Sequence, residues 1–277
     1  MTLNRLAWLA IGLTVVKSAS AQVATDVQYL GNEGVFVAHQ ETKVLFDPLY
    51  GNSYDTYQLV PDRVRRGIFD GTPPYDGIDA LFVSHYHGDH FDAGDVLELL
   101  RRHEGLRVYA PAQAVAEMRR IAEDGDSDLF ARATGFDLEY GDRPTFVRTG
   151  ELLIEAAFVP HSGWPTARTD VQNIAFRVTL AGASTVLHLG DADAKVVHFT
   201  ADPDYWEERR IDLALPPYWY FMSGDGREIL EYRINVRNAI GIHVPDEFSN
   251  PSRIPGSLQG YEVFTRPGEG RSFIGSQ

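Results

Sequence analysis

The feature that most constrains this chain is a cluster of histidines and an aspartate at positions 85–90, in the pattern H-x-H-x-D-H. Three of the nine histidines in 277 residues fall within these six positions. A short apolar run at 78–83 precedes the cluster and predicts a buried strand. An N-cap aspartate and apolar residues at helical spacing follow it and predict a helix over 92–105. The cluster therefore lies on a strand-to-helix turn, where open α/β sheets bind their ligands.

The spacing within the cluster predicts two facing directions. His85 and His87 alternate along an extended chain, so their side chains point the same way. Gly88 permits a sharp turn, which would direct Asp89 and His90 at a second point. Neutral imidazole and carboxylate ligands together suit zinc, iron, nickel or manganese. The alternative is a polar loop in which histidines cluster by chance, and the added Asp-His pair at this spacing favours the metal site.

Three further residues with metal-binding side chains follow predicted strands. His161 follows the apolar run 151–159, Asp191 follows a predicted hairpin, and His243 lies at the end of a last apolar run. Strand ends are where catalytic groups collect in layered α/β folds, because the sheet fixes them while the loops stay free. We therefore expect these side chains to meet the histidine cluster at one edge of the fold.

The rest of the chain predicts a strand-rich, single-domain α/β protein. Residues 27–46 read as an antiparallel meander of three strands. Apolar runs predict further strands at 106–110, 151–159, 173–180, 184–189, 211–215 and 239–245, and helices at 111–125 and 227–237. Residues 49–77 are rich in Gly and Pro and are interpreted as a lid or rim over the site, with a surface insertion as the alternative. The tail from 250 is predicted to be loose.

The first 21 residues have the pattern of a secretory signal peptide. A short basic start precedes an apolar run that is too short to span a bilayer, and Ala19-Ser20-Ala21 is a small-residue cleavage signal. We expect cleavage near Ala21, a mature domain over 22–277, and a periplasmic or secreted location. The alternatives are an uncleaved anchor and a buried N-terminal helix.

Composition excludes several function classes. The chain has no cysteine, so disulfides, thiolate metal ligands and a cysteine nucleophile are excluded. Its formal net charge of −14 disfavours nucleic acid and anionic membranes as partners. A small-molecule substrate is the expected partner, and the oligomeric state cannot be read from the sequence.

These motifs, taken in order, resemble the metallo-β-lactamase superfamily. The resemblance rests on H-x-H-x-D-H at 85–90, His161, Gly-Asp at 190–191 and His243, and it covers nearly the whole mature chain. It implies an α/β fold, an αββα sandwich of two mixed sheets flanked by helices, with a two-metal site between its halves.

The resemblance also implies a ligand set. The first metal would be held by His85, His87 and His161, the second by Asp89, His90 and His243, and Asp191 would bridge both. Every ligand position of the family is filled. Zinc is the expected metal for histidine and aspartate ligands, with manganese or iron as alternatives.

The implied activity is that of a secreted metal-dependent hydrolase. A metal-bridging hydroxide would cleave an ester, lactone, amide or phosphodiester of a small molecule, and Asp89 would orient the hydroxide. Residues 84–92 resemble a branch that includes ascorbate-6-phosphate lactonases and N-acylphosphatidylethanolamine-hydrolysing phospholipase D. A β-lactamase or acyl-homoserine lactonase is the first alternative, and a non-catalytic metal- or ligand-binding protein on the same fold is the second.

Aromatic residues follow several of the predicted strand ends. Trp164, Tyr218 and Tyr220 are the candidates for the wall of a substrate pocket, and either tyrosine could donate a hydrogen bond to a developing oxyanion. The alternative is that these side chains close the hydrophobic core.

Overall fold

Apolar runs along the chain form the strands of two mixed sheets. The protein is represented by a computed structural model that describes residues 23–200 and 202–275. The strands are β1 Ala24–Gly31, β2 Gly34–His39, β3 Thr42–Phe46, β4 Ala80–Phe82, β5 Arg107–Pro111, β6 Ala133–Phe136, β7 Thr145–Thr149, β8 Leu152–Phe158, β9 Ile174–Leu180, β10 Ser184–His188, β11 Leu213–Leu215 and β12 Gly270–Ile274.

The larger sheet has seven strands in the order β12-β1-β2-β3-β4-β5-β6, and the smaller has five in the order β11-β10-β9-β8-β7. β3 to β6 pair in parallel, as do β10 and β11, whereas the other neighbours are antiparallel. Parallel neighbours place the carboxyl ends of successive strands at one edge. That edge is where the histidine cluster follows β4.

Helices cover the outer faces of both sheets. They are α1 Asp62–Asp70, α2 Ala93–Arg102, α3 Ala112–Ile121, α4 Pro203–Glu208, α5 Trp219–Met222 and α6 Gly224–Glu228. Short 3-10 turns lie at Ser127–Arg132, Val196–Phe199, Asp246–Ser249, Pro251–Arg253 and Gly256–Leu258, and a π-helical turn lies at Ile229–Arg233. The Asp92 carboxylate caps α2 by accepting the Asp95 N–H, as the sequence predicts.

Three hydrophobic layers hold the fold together. The central layer lies between the sheets and includes Phe82, Phe176 and Leu215. A second layer packs α1 to α3 against the larger sheet, and a third packs α4, α5 and the π-helical turn against the smaller one. The result is the predicted αββα sandwich of two mixed sheets flanked by helices, because each sheet buries one face on the other sheet and one face on helices.

Several local predictions were wrong. The stretch 49–77 contains α1, whose Val64, Ile68 and Phe69 are buried at helical spacing. The tail from 250 is not loose throughout, because β12 pairs with β1 along the edge of the larger sheet. The predicted strand 239–245 forms only isolated bridges, and the predicted helix 227–237 is limited to α6 and the π-helical turn.

No helix within the described residues is long and apolar enough to cross a membrane. The predicted signal peptide, residues 1–21, lies outside the described residues and stays a prediction.

The central layer gives a test of the fold. Phe176 is fully buried on β9, so Phe176→Ala should lower the free energy of unfolding by about 3–5 kcal/mol through lost burial and a residual cavity. Urea unfolding followed by circular dichroism measures this. Phe146 on β7 of the same sheet is 56% exposed, so Phe146→Ala is the matched control and should cost no more than about 1 kcal/mol. Equal losses in the two variants would contradict the layer assignment.

Candidate metal centre

The seven residues predicted as metal ligands come together at the carboxyl edge of the sheets, although they are distant along the chain. His85, His87, Asp89 and His90 follow β4, His161 follows β8, and Asp191 follows β10. His243 has a left-handed backbone with φ of 58°, and its N–H donates to the Asn32 carbonyl at 2.8 Å. This conformation is uncommon for a residue other than glycine, and it places the imidazole at the site from a segment outside both sheets.

The ligand atoms form two groups. The nitrogens of His85, His87 and His161 lie within 4.8 Å of one another, and Nε2 of His85 is 3.0 Å from Nδ1 of His87. Asp89, His90 and His243 form a second group within the same limit, with Oδ2 of Asp89 3.6 Å from Nε2 of each histidine. The two facing directions predicted from the spacing of the 85–90 cluster are therefore present.

Asp191 lies between the two groups and divides its oxygens between them. Its Oδ2 is 3.2 Å from Nε2 of His161 and 4.0 Å from Nε2 of His85. Its Oδ1 is 2.9 Å from Nε2 of His243 and 3.4 Å from Nε2 of His90. One carboxylate oxygen for each group is the arrangement expected of a bridging ligand.

The donor set fits divalent metal ions. Although several donor atoms lie close together, Nε2 of His90, His161 and His243 and Oδ1 of Asp191 are buried and make no aligned hydrogen bond within the described residues. Buried polar atoms normally have partners, so orphaned nitrogens and a carboxylate oxygen directed at common points indicate that cations complete the site. Imidazole nitrogen and carboxylate oxygen are suitable ligands for zinc and for other divalent transition metals.

Hydrogen bonds on the far side of two rings set their tautomers. Nδ1 of His90 donates to Oδ2 of Asp47 at 2.9 Å, and Nδ1 of His161 donates to the Ser162 carbonyl at 2.9 Å. In each ring Nε2 is thereby left as the lone-pair nitrogen that a metal requires. Asp47 is itself fixed, because its Oδ1 accepts the N–H of Ser84 at 2.7 Å.

The turn that carries Asp191 is held from two sides. The side-chain Oδ1 of Asn173 accepts the Asp191 N–H at 3.0 Å, and Nδ2 of the same side chain donates to the backbone carbonyls of Val159 and Leu189. Nδ1 of His188 accepts the N–H of Gly190 at 3.3 Å. His188 is fully buried and stacks on a phenylalanine ring at 5.1 Å, so it positions the turn and does not face the metal groups.

Burial and charge set the ionisation of the site. Burial, helped by the charge of His90, holds the pKa of His85 well below its usual range, and burial lowers the pKa of His87 to about 4. Burial alone would also lower the pKa of His243, but the Asp191 carboxylate outweighs it and raises that pKa to about 10. In the absence of cations, the buried carboxylate is therefore balanced by protons on neighbouring imidazoles, which is the charge that metal ions would replace.

Glu33 is a second buried carboxyl group beside the site. Its Oε2 is 3.8 Å from Nδ1 of His90 and 3.6 Å from Nε2 of His188, and neither of its oxygens has a hydrogen-bond partner within the described residues. Burial raises its pKa well above the usual range, because removal from water disfavours the charged form. The pattern Gly31-Asn32-Glu33-Gly34 predicts a strand connection and gives no sign of this location.

A cavity of about 420 Å³ opens onto the two groups of ligands. Its wall beyond the ligands is formed by Tyr54, Thr56, Tyr57 and Arg168. The Tyr57 ring packs edge-on against His243 at 4.2 Å between centroids. The stretch 49–77 therefore supplies part of the rim, and its position is fixed by the bond from the Asn52 N–H to the Gly88 carbonyl at 3.1 Å.

The aromatic residues predicted to wall the pocket lie elsewhere. Tyr220 is fully buried and its hydroxyl points at the Asp193 carbonyl at 3.4 Å, so the prediction that it contacts substrate was wrong. Trp164 packs against Tyr140 at 5.1 Å and lines a different cavity. Tyr218 packs against Phe248 at 5.6 Å and does not line the metal cavity.

Sequence reasoning also missed residues that support or surround the site. Asp47 had a usable signal, since it ends the apolar run of β3 in the same way that His85 follows β4. Asn173 and Arg168 had no such signal, because the contacts of Asn173 with Val159 and Leu189 and the position of Arg168 at the cavity arise only in the folded chain.

Comparisons with known proteins agree with this geometry. The family model described as a β-lactamase superfamily domain matches residues 42–217. The structure is similar to Igni18, a metallo hydrolase of the archaeon Ignicoccus hospitalis, at 17% identity and a TM-score of 0.53, covering 91% of this chain and 100% of that one. It is also similar to an isothiocyanate hydrolase from Delia radicum gut bacteria, at 12% identity and a TM-score of 0.59, covering 90% and 99%. No curated protein sequence matches the chain.

The Asp191 turn gives a test of the site's construction. Gly190 has φ of 56°, and a Cβ there would lie 2.6 Å from Cβ of Ser84 and collide with the Asn173 side chain. Gly190→Ala should displace Asp191 and lower both metal affinity and the free energy of unfolding, the latter by about 2–4 kcal/mol. Gly182 has φ of 64° in open surroundings, so Gly182→Ala controls for backbone strain alone and should cost about 1–2 kcal/mol. Unchanged metal affinity in Gly190→Ala would contradict the proposed position of Asp191.

The Asp47 contact gives a second test. Asp47→Asn replaces the acceptor that sets the His90 tautomer, so metal affinity should fall about ten- to a hundredfold. Competition with a chromophoric chelator measures the affinity independently of activity. Asp62 is exposed on α1, and Asp62→Asn should bind metal like the unaltered protein. If both variants bound equally tightly, Asp47 would have no role in orienting the ligand.

Proposed function

The chain belongs to the β-lactamase superfamily, and we propose that it is a metal-dependent hydrolase that acts on a small molecule. The observation that carries the proposal is the division of the Asp191 oxygens between two groups of three ligand side chains. Such a site is suited to a pair of divalent ions, since the protein supplies three further donors on each side. The cavity beside it gives a substrate access to the donors.

The proposed ligands are those of the sequence prediction: His85, His87 and His161 for one ion, Asp89, His90 and His243 for the other, and Asp191 between them. When bound, the ions would lower the pKa of a shared water molecule and polarise the carbonyl or phosphoryl oxygen of the substrate. We propose zinc as the metal, with manganese or iron as alternatives, because the donor set is compatible with each.

Asp89 is the proposed catalytic residue of the chain itself. It lines the cavity, and the Asn32 amide donates to its backbone carbonyl at 2.9 Å, which fixes its position. Burial alone would raise the pKa of Asp89, but the neighbouring imidazoles of His243 and His90 outweigh burial and hold that pKa below its usual range. An ionised carboxylate facing the cavity can accept a proton from the attacking water and pass it to the leaving group.

The bond cleaved is proposed to be an ester, lactone, amide or phosphodiester. Residues 84–92 support assignment to the branch that includes ascorbate-6-phosphate lactonases and N-acylphosphatidylethanolamine-hydrolysing phospholipase D. None of the comparisons with known proteins names a member of that branch. The similarity to an isothiocyanate hydrolase adds isothiocyanates to the substrates worth testing. Export through a signal peptide is a proposal that rests on residues 1–21, and N-terminal sequencing of the secreted protein tests it.

Metal removal combined with a substrate panel tests the activity. The panel holds a 4-nitrophenyl ester, a lactone, a cephalosporin, bis(4-nitrophenyl) phosphate and benzyl isothiocyanate. Chelation should abolish hydrolysis, and divalent zinc or manganese should restore it. His85→Gln should lose metal and activity. His103 lies at the C-terminal end of α2, where it contacts the Phe69 carbonyl, so the matched variant His103→Gln should retain both.

The outcomes separate the proposed enzyme from its alternatives. A metal-free protein that still hydrolyses a substrate would refute the proposal. A protein that binds two metal ions and hydrolyses nothing in the panel would favour a non-catalytic binding protein. Cleavage of the cephalosporin or of an acyl-homoserine lactone alone would assign one of the narrower activities considered from the sequence.

A further inference from the structure

Arg168 is the only arginine or lysine that lines the metal cavity within the described residues. It lies on the loop after β8, between His161 and Val171. Its Nη1 donates to the Ser162 carbonyl at 3.1 Å, and Nδ1 of His161 lies 2.9 Å from the same oxygen. The guanidinium is therefore separated from a proposed metal ligand by a single carbonyl group.

The Arg168 guanidinium has no ion-pair partner within the described residues, since no carboxylate oxygen there lies within 4.0 Å of it. One of its donors is used by Ser162, and a guanidinium has five. The remaining donors are available to a ligand in the cavity.

The loop holds this side chain in place at a cost in backbone conformation. Arg168 has φ of 56°, a left-handed value that L-residues rarely adopt. Its guanidinium lies over Gly163, where an added Cβ would be 3.5 Å from Nη1. A strained backbone that directs an unpaired cation at a cavity is typical of a ligand-binding position.

Two tyrosines also line the cavity. Tyr57 is half-buried against His243, and Tyr54 is 54% exposed. A molecule in the cavity would therefore meet aromatic, hydroxyl-bearing side chains as well as a single permanent cation.

We propose that Arg168 determines specificity for substrates that carry an oxyanionic group, either a carboxylate or a phosphate, in addition to the bond to be cleaved. This inference rests on the proposed hydrolase function and names its substrate class. A planar guanidinium can donate two parallel hydrogen bonds to such a group, which fixes the substrate relative to the ligands at His161 and Asp191.

The test compares two esters that differ in one charge. Mono-4-nitrophenyl adipate carries a free carboxylate, and methyl 4-nitrophenyl adipate does not. Arg168→Gln should raise the KM of the charged ester about ten- to a hundredfold with little change in kcat, and should affect the methyl ester far less. Arg168→Lys should retain part of the preference. Arg148 is exposed on β7 away from the cavity, so Arg148→Gln is the control and should leave both esters unaffected.

Binding of products gives a readout that does not depend on turnover. Calorimetric titration of the metal-loaded protein with adipate and with inorganic phosphate should show weaker binding in Arg168→Gln, and the tighter of the two ligands identifies the type of oxyanion. Equal affinities in the variant and the unaltered protein, or equal KM changes for the two esters, would overturn the proposal. If the unaltered protein hydrolyses neither ester nor any compound of the panel, the hydrolase proposal fails, and the titration alone decides the role of Arg168.

Discussion

The structure depends on the burial of one carboxylate, Asp191, at the seam between two sheets. An ionised carboxylate removed from water is costly unless positive charge and hydrogen bonds compensate it. The chain supplies both, because four imidazoles surround the carboxylate oxygens and the Asp191 N–H is held by Asn173. Each group joins residues that follow β4 of the larger sheet to one residue from elsewhere in the chain, His161 after β8 of the smaller sheet or His243. The charged site is therefore assembled only when these parts of the fold pack together. A substitution that alters the packing of the two sheets should therefore alter the site, and a substitution in the site should alter that packing.

A second set of groups makes this compensation specific for cations. Asp47 and Ser162 bind the far nitrogens of His90 and His161, and this determines which nitrogen of each ring faces the centre. Glu33 adds a further buried acid, whose pKa is raised by burial and lowered by the charges of His90 and His243. Because ligand histidines must lose protons before they bind a metal, these contacts relate the charge of the site to its occupancy. The pKa values of His85 and His87 are lowered, so these two imidazoles are already in the neutral form that binds a metal ion.

The convergence of the seven candidate ligands and the two-sheet sandwich could both be predicted from the sequence, because local residue patterns indicate each of them. The spacing of His85, His87 and His90 reports the turn after β4, and apolar runs report strands. The stretches that were misjudged, α1 and β12, are amphipathic or short, and tertiary contacts decide their conformation. The aromatic wall was also misjudged, since Tyr220 follows a strand end as closely as a ligand does yet turns into the core. The neighbouring sequence does not distinguish a side chain that faces the cavity from one that is buried in the hydrophobic core.

The same distinction explains why the family identifies the metal chemistry and leaves the substrate open. Six of the seven candidate ligands follow strands of the two sheets, whereas Tyr54 and Arg168 lie on loops, have left-handed backbones and are exposed. Loops tolerate substitution without loss of the fold, so recognition of the substrate can change while the ligands remain. Arg168 lies on such a loop beside His161, lines the cavity and forms no ion pair within the described residues. Its guanidinium is therefore a position at which recognition of the substrate can differ while the candidate ligands stay the same.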